Sequence, residues 1–180
     1  MDHADHVRLL QGGVSREPGS WADLGAGEGA FTLALADLLP SGSTIYAVDK
    51  DRGALAELEH AYSRFAAQRD APRLEARVAD FTRDLALSDL DGVVMANSLH
   101  FVRTKVPVLA RVHAMLRADG RLLVVEYDAD RGNGWVPHPF SFQTWRRMAT
   151  ESGFTEPTLL ATQPSRFLQR IYSALALKAP

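Results

Sequence analysis

The sequence contains no cysteine, which removes disulfides, thiolate metal sites and a catalytic thiol together. No window approaches the roughly 20 apolar residues needed to span a bilayer. The opening MDHADHVRLLQGG lacks a basic region leading into an apolar stretch, so a soluble, cytoplasmic protein with no membrane partner is expected. Net charge is nearly absent: 20 Lys and Arg against 22 Asp and Glu leave −2, without the basic footprint of a nucleic-acid binder. The one local bias follows Asp130, where Arg131, Arg146, Arg147, Arg166, Arg170 and Lys178 outnumber Glu151 and Glu156; it reads as a solvated face. No linker, repeat or low-complexity segment interrupts the 180 residues, 46% of them hydrophobic. One domain over 1–180 is expected, opened by a short helical segment within 1–19.

What is present is an alternation. SWADL reads as a strand, residues 30–39 as a helix, TIYAVD (44–49) as a strand and residues 53–68 as a helix with Leu55, Leu58, Tyr62 and Phe65 at helical spacing. APRLEARVAD alternates like a strand, and DGVVMAN (91–97) reads as a short buried one. A helix over 105–117 precedes ADGRLLVVEYD, whose continuous LLVV suits a sheet covered on both faces. After GNGWVPHPFSF comes a helix near 143–152, then TEPTLLATQP and RFLQRIYSALALK. So short a link makes these last two strands antiparallel neighbours. The pattern predicts an α/β fold, an open and mostly parallel sheet with one reversed strand and helices on both faces. Ligands of such sheets bind at the carboxyl ends of the strands, where strand order reverses.

The strand ends carry the chemistry. DLGAGEG places Gly25, Gly27 and Gly29 between a strand and a helix, where a ligand can lie against bare main chain. Asp49 ends the second strand, 24 residues beyond Gly25, where a carboxylate can accept both hydroxyls of a ribose. Asp51 is the better cap for the following helix. In VADF, Asp80 suits an exocyclic amine and Phe81 a purine face. Together these describe an adenosine-containing ligand. Gly25, Gly27 and Ala30 also satisfy G-x-G-x-x-G/A, so a nicotinamide dinucleotide, and with it a short NAD(P)-dependent reductase, stays open. Asp23, two residues before the first glycine, would repel a pyrophosphate but suits a ligand carrying an ammonium and a sulfonium.

The segments WADLGAGEGAFTLALA, IYAVDKD, VADF, DGVVMANSLHFV and LRADGRLLVVEYD, in this order over residues 21–128, resemble the class I S-adenosylmethionine-dependent methyltransferases. The resemblance implies a Rossmann-like seven-stranded sheet in order 3-2-1-4-5-7-6 with strand 7 antiparallel. It implies S-adenosyl-L-methionine as cofactor, with Gly25, Gly27 and Gly29 against its methionine and ribose and Asp23 holding the amino group directly or through water. Asp49 would take the ribose hydroxyls, Lys50 flank the adenine, Asp80 accept from its amino group and the Phe81 N–H reach a ring nitrogen. Asn97 would offer its carbonyl near the amino group, and Ala26 and Ser98 complete the contacting set. NSLHF lacks the prolines of the adenine- and glutamine-methylating relatives and is similar to the small-molecule branch, including ubiquinone- and menaquinone-type enzymes.

Displacing a methyl from a sulfonium depends mainly on positioning, and a base matters only for a hydroxyl or an acidic carbon. His100, Tyr127 and His138 are the candidates, each with packing as its plainer role; His113 reads as structural. No spacing suggests a metal site. The acceptor side reads as open, with a small-molecule acceptor expected, and either the segment HADHVRLL or a second subunit, as a homodimer, closing it. A methyltransferase-like domain that binds without turnover remains the alternative of a different class.

Overall fold

The computed structural model describes residues 1–180. Seven strands form one sheet: β1 (Ser20–Leu24), β2 (Thr44–Asp49), β3 (Arg73–Val78), β4 (Leu90–Ala96), β5 (Leu116–Tyr127), β6 (Thr158–Pro164) and β7 (Arg170–Leu177). Their order is 3-2-1-4-5-7-6. β1 to β5 pair in parallel, and β7 runs antiparallel to both β5 and β6. This is the Rossmann-like sheet expected from the sequence, with the reversed strand where the closing hairpin put it.

Five helices cover it: α1 (His3–Leu10), α2 (Ala30–Leu38), α3 (Arg52–Ala66), α4 (Val106–Met115) and α5 (Phe142–Glu151). Alternation along the strands divides the core. Trp21, Leu123 and Val125 pack with α1, α2 and α3 on one face, while Ala22, Leu122 and Val124 pack with α4 and α5 on the other. The runs VVMA and LLVV are fully or almost fully buried because both faces are covered.

Local chemistry sets the helix starts. Asp2 and Asp5 form a reciprocal capping box on α1, and Asp51 accepts from the N–H groups of Gly53 and Ala54 to cap α3. Ser141 caps α5 by accepting from Thr144 N. Two expectations shift. The helix read over 105–117 ends at Met115, because Leu116 already pairs with Leu90 and Arg117 reaches across to Asp91 at 2.6 Å. The N-terminal segment packs beside α2 on one face of the sheet, and none of its residues lines the cavity at the carboxyl ends of β1 to β4. Leu9 and Leu10 are fully buried, His6 stacks on Phe31 with centroids 4.7 Å apart, and Arg8 donates to the Thr162 carbonyl, so α1 is held against α2 and β6.

Candidate cofactor and acceptor site

A cavity of about 520 Å³ opens at the carboxyl ends of β1 to β4, the place where strand order reverses and within the usual size of a small-molecule site. Of the residues singled out in the sequence, Gly25, Gly27, Asp49, Lys50, Asp80, Phe81, Asn97 and Ser98 line it. They come from four separate strand ends.

The turn after β1 continues the sheet's ladder, with Gly25 N and Ala26 N both donating to the Val48 carbonyl. Gly25, Gly27 and Gly29 all adopt positive φ, +83°, +53° and +91°. Their surroundings differ. A Cβ on Gly27 would meet nothing within 4 Å, whereas one on Gly29 would come within 2.6 Å of Leu58 Cγ. Gly27 therefore presents open main chain to the cavity, while Gly29, outside the lining, lets the start of α2 press against α3. Ala26 is also outside the lining, its side chain in the core.

Asp49 is oriented by the backbone. Its Oδ2 accepts from Gly27 N at 2.8 Å and its Oδ1 from Asp51 N at 2.9 Å, leaving each oxygen lone-pair capacity for further donors. Asp80 Oδ1 accepts from the Thr82 hydroxyl and N–H at 2.7 and 2.9 Å. Those bonds, the hydroxyl's first, hold its carboxyl below the usual range, and Oδ2 has no partner in the fold. The Asp-x-Thr turn was legible as a local motif, yet Thr82 was not singled out.

Asn97, at φ +51°, has its side-chain Oδ1 buried without a hydrogen-bond partner. A buried acceptor without a donor is costly; the amide nitrogen, which is not among the sealed atoms, is the end of the side chain open to the cavity that Asn97 lines. Ser98 is buried and its hydroxyl donates to the Leu24 carbonyl at 2.7 Å, so it ties β4 to β1 beneath the cavity. Asp23 lies under the floor: it is fully buried, accepts from the Thr32 hydroxyl at 2.6 Å and does not line the cavity. Burial pushes its carboxyl up to about 6, against the lowering effect of Thr32, with the charge of Asp49 adding to the rise.

The three candidates for a proton acceptor lie beside the cavity and outside its lining. His100 is 3% exposed, with Nδ1 2.8 Å from Glu126 Oε2 and its backbone N–H donating to Glu126 Oε1 at 3.0 Å. Tyr127 packs edge-on to the His100 ring at 5.5 Å, its phenol pushed up by burial and then by the Glu126 charge. His138 N donates to the His100 carbonyl at 3.0 Å, and Lys105 Nζ bridges the carbonyls of Val102 and His138 at 2.8 and 2.9 Å, fastening the 129–141 loop to the β4 end. His113 is structural, with Nε2 3.1 Å from the Gly153 carbonyl. Sequence reasoning passed over Glu126, although a carboxylate inside LLVVEY was the available signal. It also passed over Phe101, which lines the cavity while 63% exposed.

The fold has known counterparts. No curated protein matches the sequence. Among solved structures, the YcgJ protein of Bacillus subtilis is 12% identical, with TM-score 0.77, covering 99% of this chain and 100% of that one. The 1,6-didemethyltoxoflavin-N1-methyltransferase of Burkholderia thailandensis, solved with 1,6-didemethyltoxoflavin and S-adenosylhomocysteine bound, is 21% identical, with TM-score 0.75 over 99% of this chain and 79% of that one. Magnesium protoporphyrin IX methyltransferase from Synechocystis, solved with S-adenosylmethionine, is 16% identical, with TM-score 0.66 over 90% and 71%. At such identities these likenesses speak to the fold. The sequence signature described as "Methyltransferase domain" matches residues 22–122, more than half of the chain, and with it the chain belongs to the methyltransferase-domain family, the class I S-adenosylmethionine-dependent methyltransferases.

Proposed function

We propose that the chain, as one domain over 1–180, moves a methyl group from S-adenosylmethionine to a small-molecule acceptor by in-line displacement. The observation that carries the cofactor half is a single cavity in which bare main chain at Gly27, the oriented carboxylate of Asp49 and the side chain of Asn97 meet. When bound, the cofactor supplies a methyl on a sulfonium, whose charge is already present in the ground state.

In this reading Asp49 accepts from the two ribose hydroxyls with the lone pairs its backbone contacts leave. Asp80 offers Oδ2 to the adenine amino group, with Phe81 and Lys50 on either side of the ring. Asn97, its amide turned so that Oδ1 faces the cavity, accepts from the amino-acid ammonium, and the buried charge of Asp23 attracts the same end through the floor. Ser98, Ala26 and Gly29 keep the turn and its helix in place. The residues' main work is positioning and the exclusion of water, which supply most of the acceleration in such a displacement.

A small acceptor is supported by the rim. Phe101, Trp135 and Phe167 are 63%, 77% and 59% exposed, and Asn133 joins the last two loops by donating to the Phe167 carbonyl and accepting from Trp135 N. This lies on the carboxyl edge, since Asp128 N donates to the Arg170 carbonyl where β5 ends and β7 begins. The ubiquinone- and menaquinone-type branch is the finer reading of NSLH, as a cytoplasmic enzyme without nucleic-acid or membrane partners, and a homodimer would close the open side. Incubation with [methyl-³H]S-adenosylmethionine and a cell extract split into small molecules, protein and nucleic acid tests it: label is expected in the small-molecule fraction, and label confined to either polymer contradicts it.

A further inference from the structure

Glu126 is the one carboxylate of the chain that is completely buried and bonded to an imidazole. It faces the α4 and α5 side of the sheet, following Leu122 and Val124 in the alternation of β5. Both its oxygens meet His100, Oε1 accepting from its backbone N–H and Oε2 facing its ring Nδ1, and Oε2 also accepts from the Tyr127 N–H at a longer 3.4 Å. An ionised carboxylate only accepts, so a neutral His100 must carry its proton on Nδ1 and hold a bare lone pair on Nε2. Nε2 has no partner in the fold, and it is absent from the sealed polar atoms that lack one; the small accessible area of His100 reaches it. The neighbouring Phe101 ring, 4.2 Å from the imidazole, lines the cavity. The Tyr127 ring packs edge-on to the imidazole, and its hydroxyl is likewise without a partner and unsealed.

A tie between the β4 end and β5 needs no charge: a neutral amide would serve, and burying a carboxylate costs several kcal/mol unless its bonds recover it. We infer that Glu126 is a positioning residue that fixes His100 as a general base with Nε2 toward the acceptor, and that the acceptor therefore belongs to the class that must lose a proton, a phenolic or enolic hydroxyl or an acidic carbon. This rests on the methyltransferase reading above. The Nε2 lone pair takes the proton of the acceptor X–H. The X–H bonding pair forms the new X–CH₃ bond as the S–CH₃ pair returns to sulfur, leaving a neutral thioether. The imidazolium that results is held beside the Glu126 charge until its proton passes to water. The other groups around this carboxylate are the Lys105 ammonium, which is lowered by burial and supported by Glu126, and the phenols of Tyr127 and Tyr172, both raised by burial and by that charge.

The variant Glu126→Gln makes the logic testable. With its carbonyl oxygen on His100 N–H, its NH₂ faces Nδ1, which must then accept; the ring proton moves to Nε2, where the base was. Long-range ¹H–¹⁵N spectra of histidine-labelled protein read the tautomer directly. Expected are Nδ1–H with a bare Nε2 in the parent protein and the inverse in Glu126→Gln; an Nε2–H tautomer in the parent overturns the inference. The spectrum is taken on the free protein, so it decides this point whether or not the cofactor reading holds, which calorimetry with S-adenosylhomocysteine judges separately. With labelled S-adenosylmethionine and phenol, acetylacetone and a neutral primary amine as probe acceptors, transfer to phenol or acetylacetone is expected. Glu126→Gln should then lower kcat about 100-fold with KM for S-adenosylmethionine within twofold. Equal kcat in the two proteins, a loss seen in KM alone, transfer to the amine only, or no transfer to any of the three overturns it.

Discussion

Replacing Gly27 and Gly29 by alanine separates the two jobs of the glycine turn. Both positions have positive φ, +53° and +91°, so an added Cβ costs about 1–2 kcal/mol of backbone strain at either. At Gly29 the new methyl also lies 2.6 Å from Leu58 Cγ and 3.2 Å from Leu58 Cβ, and Leu58 is fully buried. Overpacking of that kind adds about 1–3 kcal/mol, for a total of about 2–5 kcal/mol. At Gly27 no protein atom is met within 4 Å; the methyl occupies cavity that the cofactor would fill. Urea denaturation and calorimetry with S-adenosylhomocysteine read the two effects. Gly29→Ala is expected to lose more stability while the folded fraction binds with a Kd near that of the parent. Gly27→Ala should lose about 1–2 kcal/mol of stability and bind at least about tenfold more weakly, a loss of about 1.4 kcal/mol. Equal stability losses, or unchanged binding in Gly27→Ala, would refute the division of roles.

Asp49→Ala removes two charge-assisted acceptors of the ribose, each worth about 1.5–3 kcal/mol, so calorimetry should show S-adenosylhomocysteine binding weakened about 100-fold or more; a change under threefold removes the assignment. Asp23→Asn keeps an acceptor for the Thr32 hydroxyl but never ionises. Because burial raises the folded Asp23 carboxyl from 3.8 to about 6, the folded state holds its proton longer and stability from this group falls as pH rises between those values. The variant should therefore be more stable than the parent by about 2–3 kcal/mol at pH 7.5 and equal to it near pH 3.5, checked by urea midpoints at both. Asn97→Gly removes the unpartnered Oδ1 and suits φ +51°, so stability should hold within about 1 kcal/mol while S-adenosylhomocysteine binding drops about tenfold; tight binding by the variant contradicts a role for that oxygen.

Periodic features were legible in the sequence because they reflect burial on one or two faces. TIYAVD became β2 and LLVV the centre of β5 on that basis, and the short closing link dictated the antiparallel β7. Site residues at strand ends were legible too, since a parallel sheet brings successive carboxyl ends to one edge, as it does for Gly27, Asp49, Asp80 and Asn97. What stayed hidden depends on contacts distant in sequence. Nothing in DLGAGEG says that Gly29 meets Leu58 while Gly27 meets the cavity, or that Asp23 is turned down to Thr32. Nor does NSLHF reveal that His100 is bonded to Glu126, 26 residues away.

Titration calorimetry of the intact chain with S-adenosylhomocysteine, alongside NADH, tests the central claim most directly. One-to-one binding of S-adenosylhomocysteine in the micromolar range, lost in Asp49→Ala, with no heat from NADH, is the predicted result. Heat from NADH alone, or from neither ligand, would contradict it.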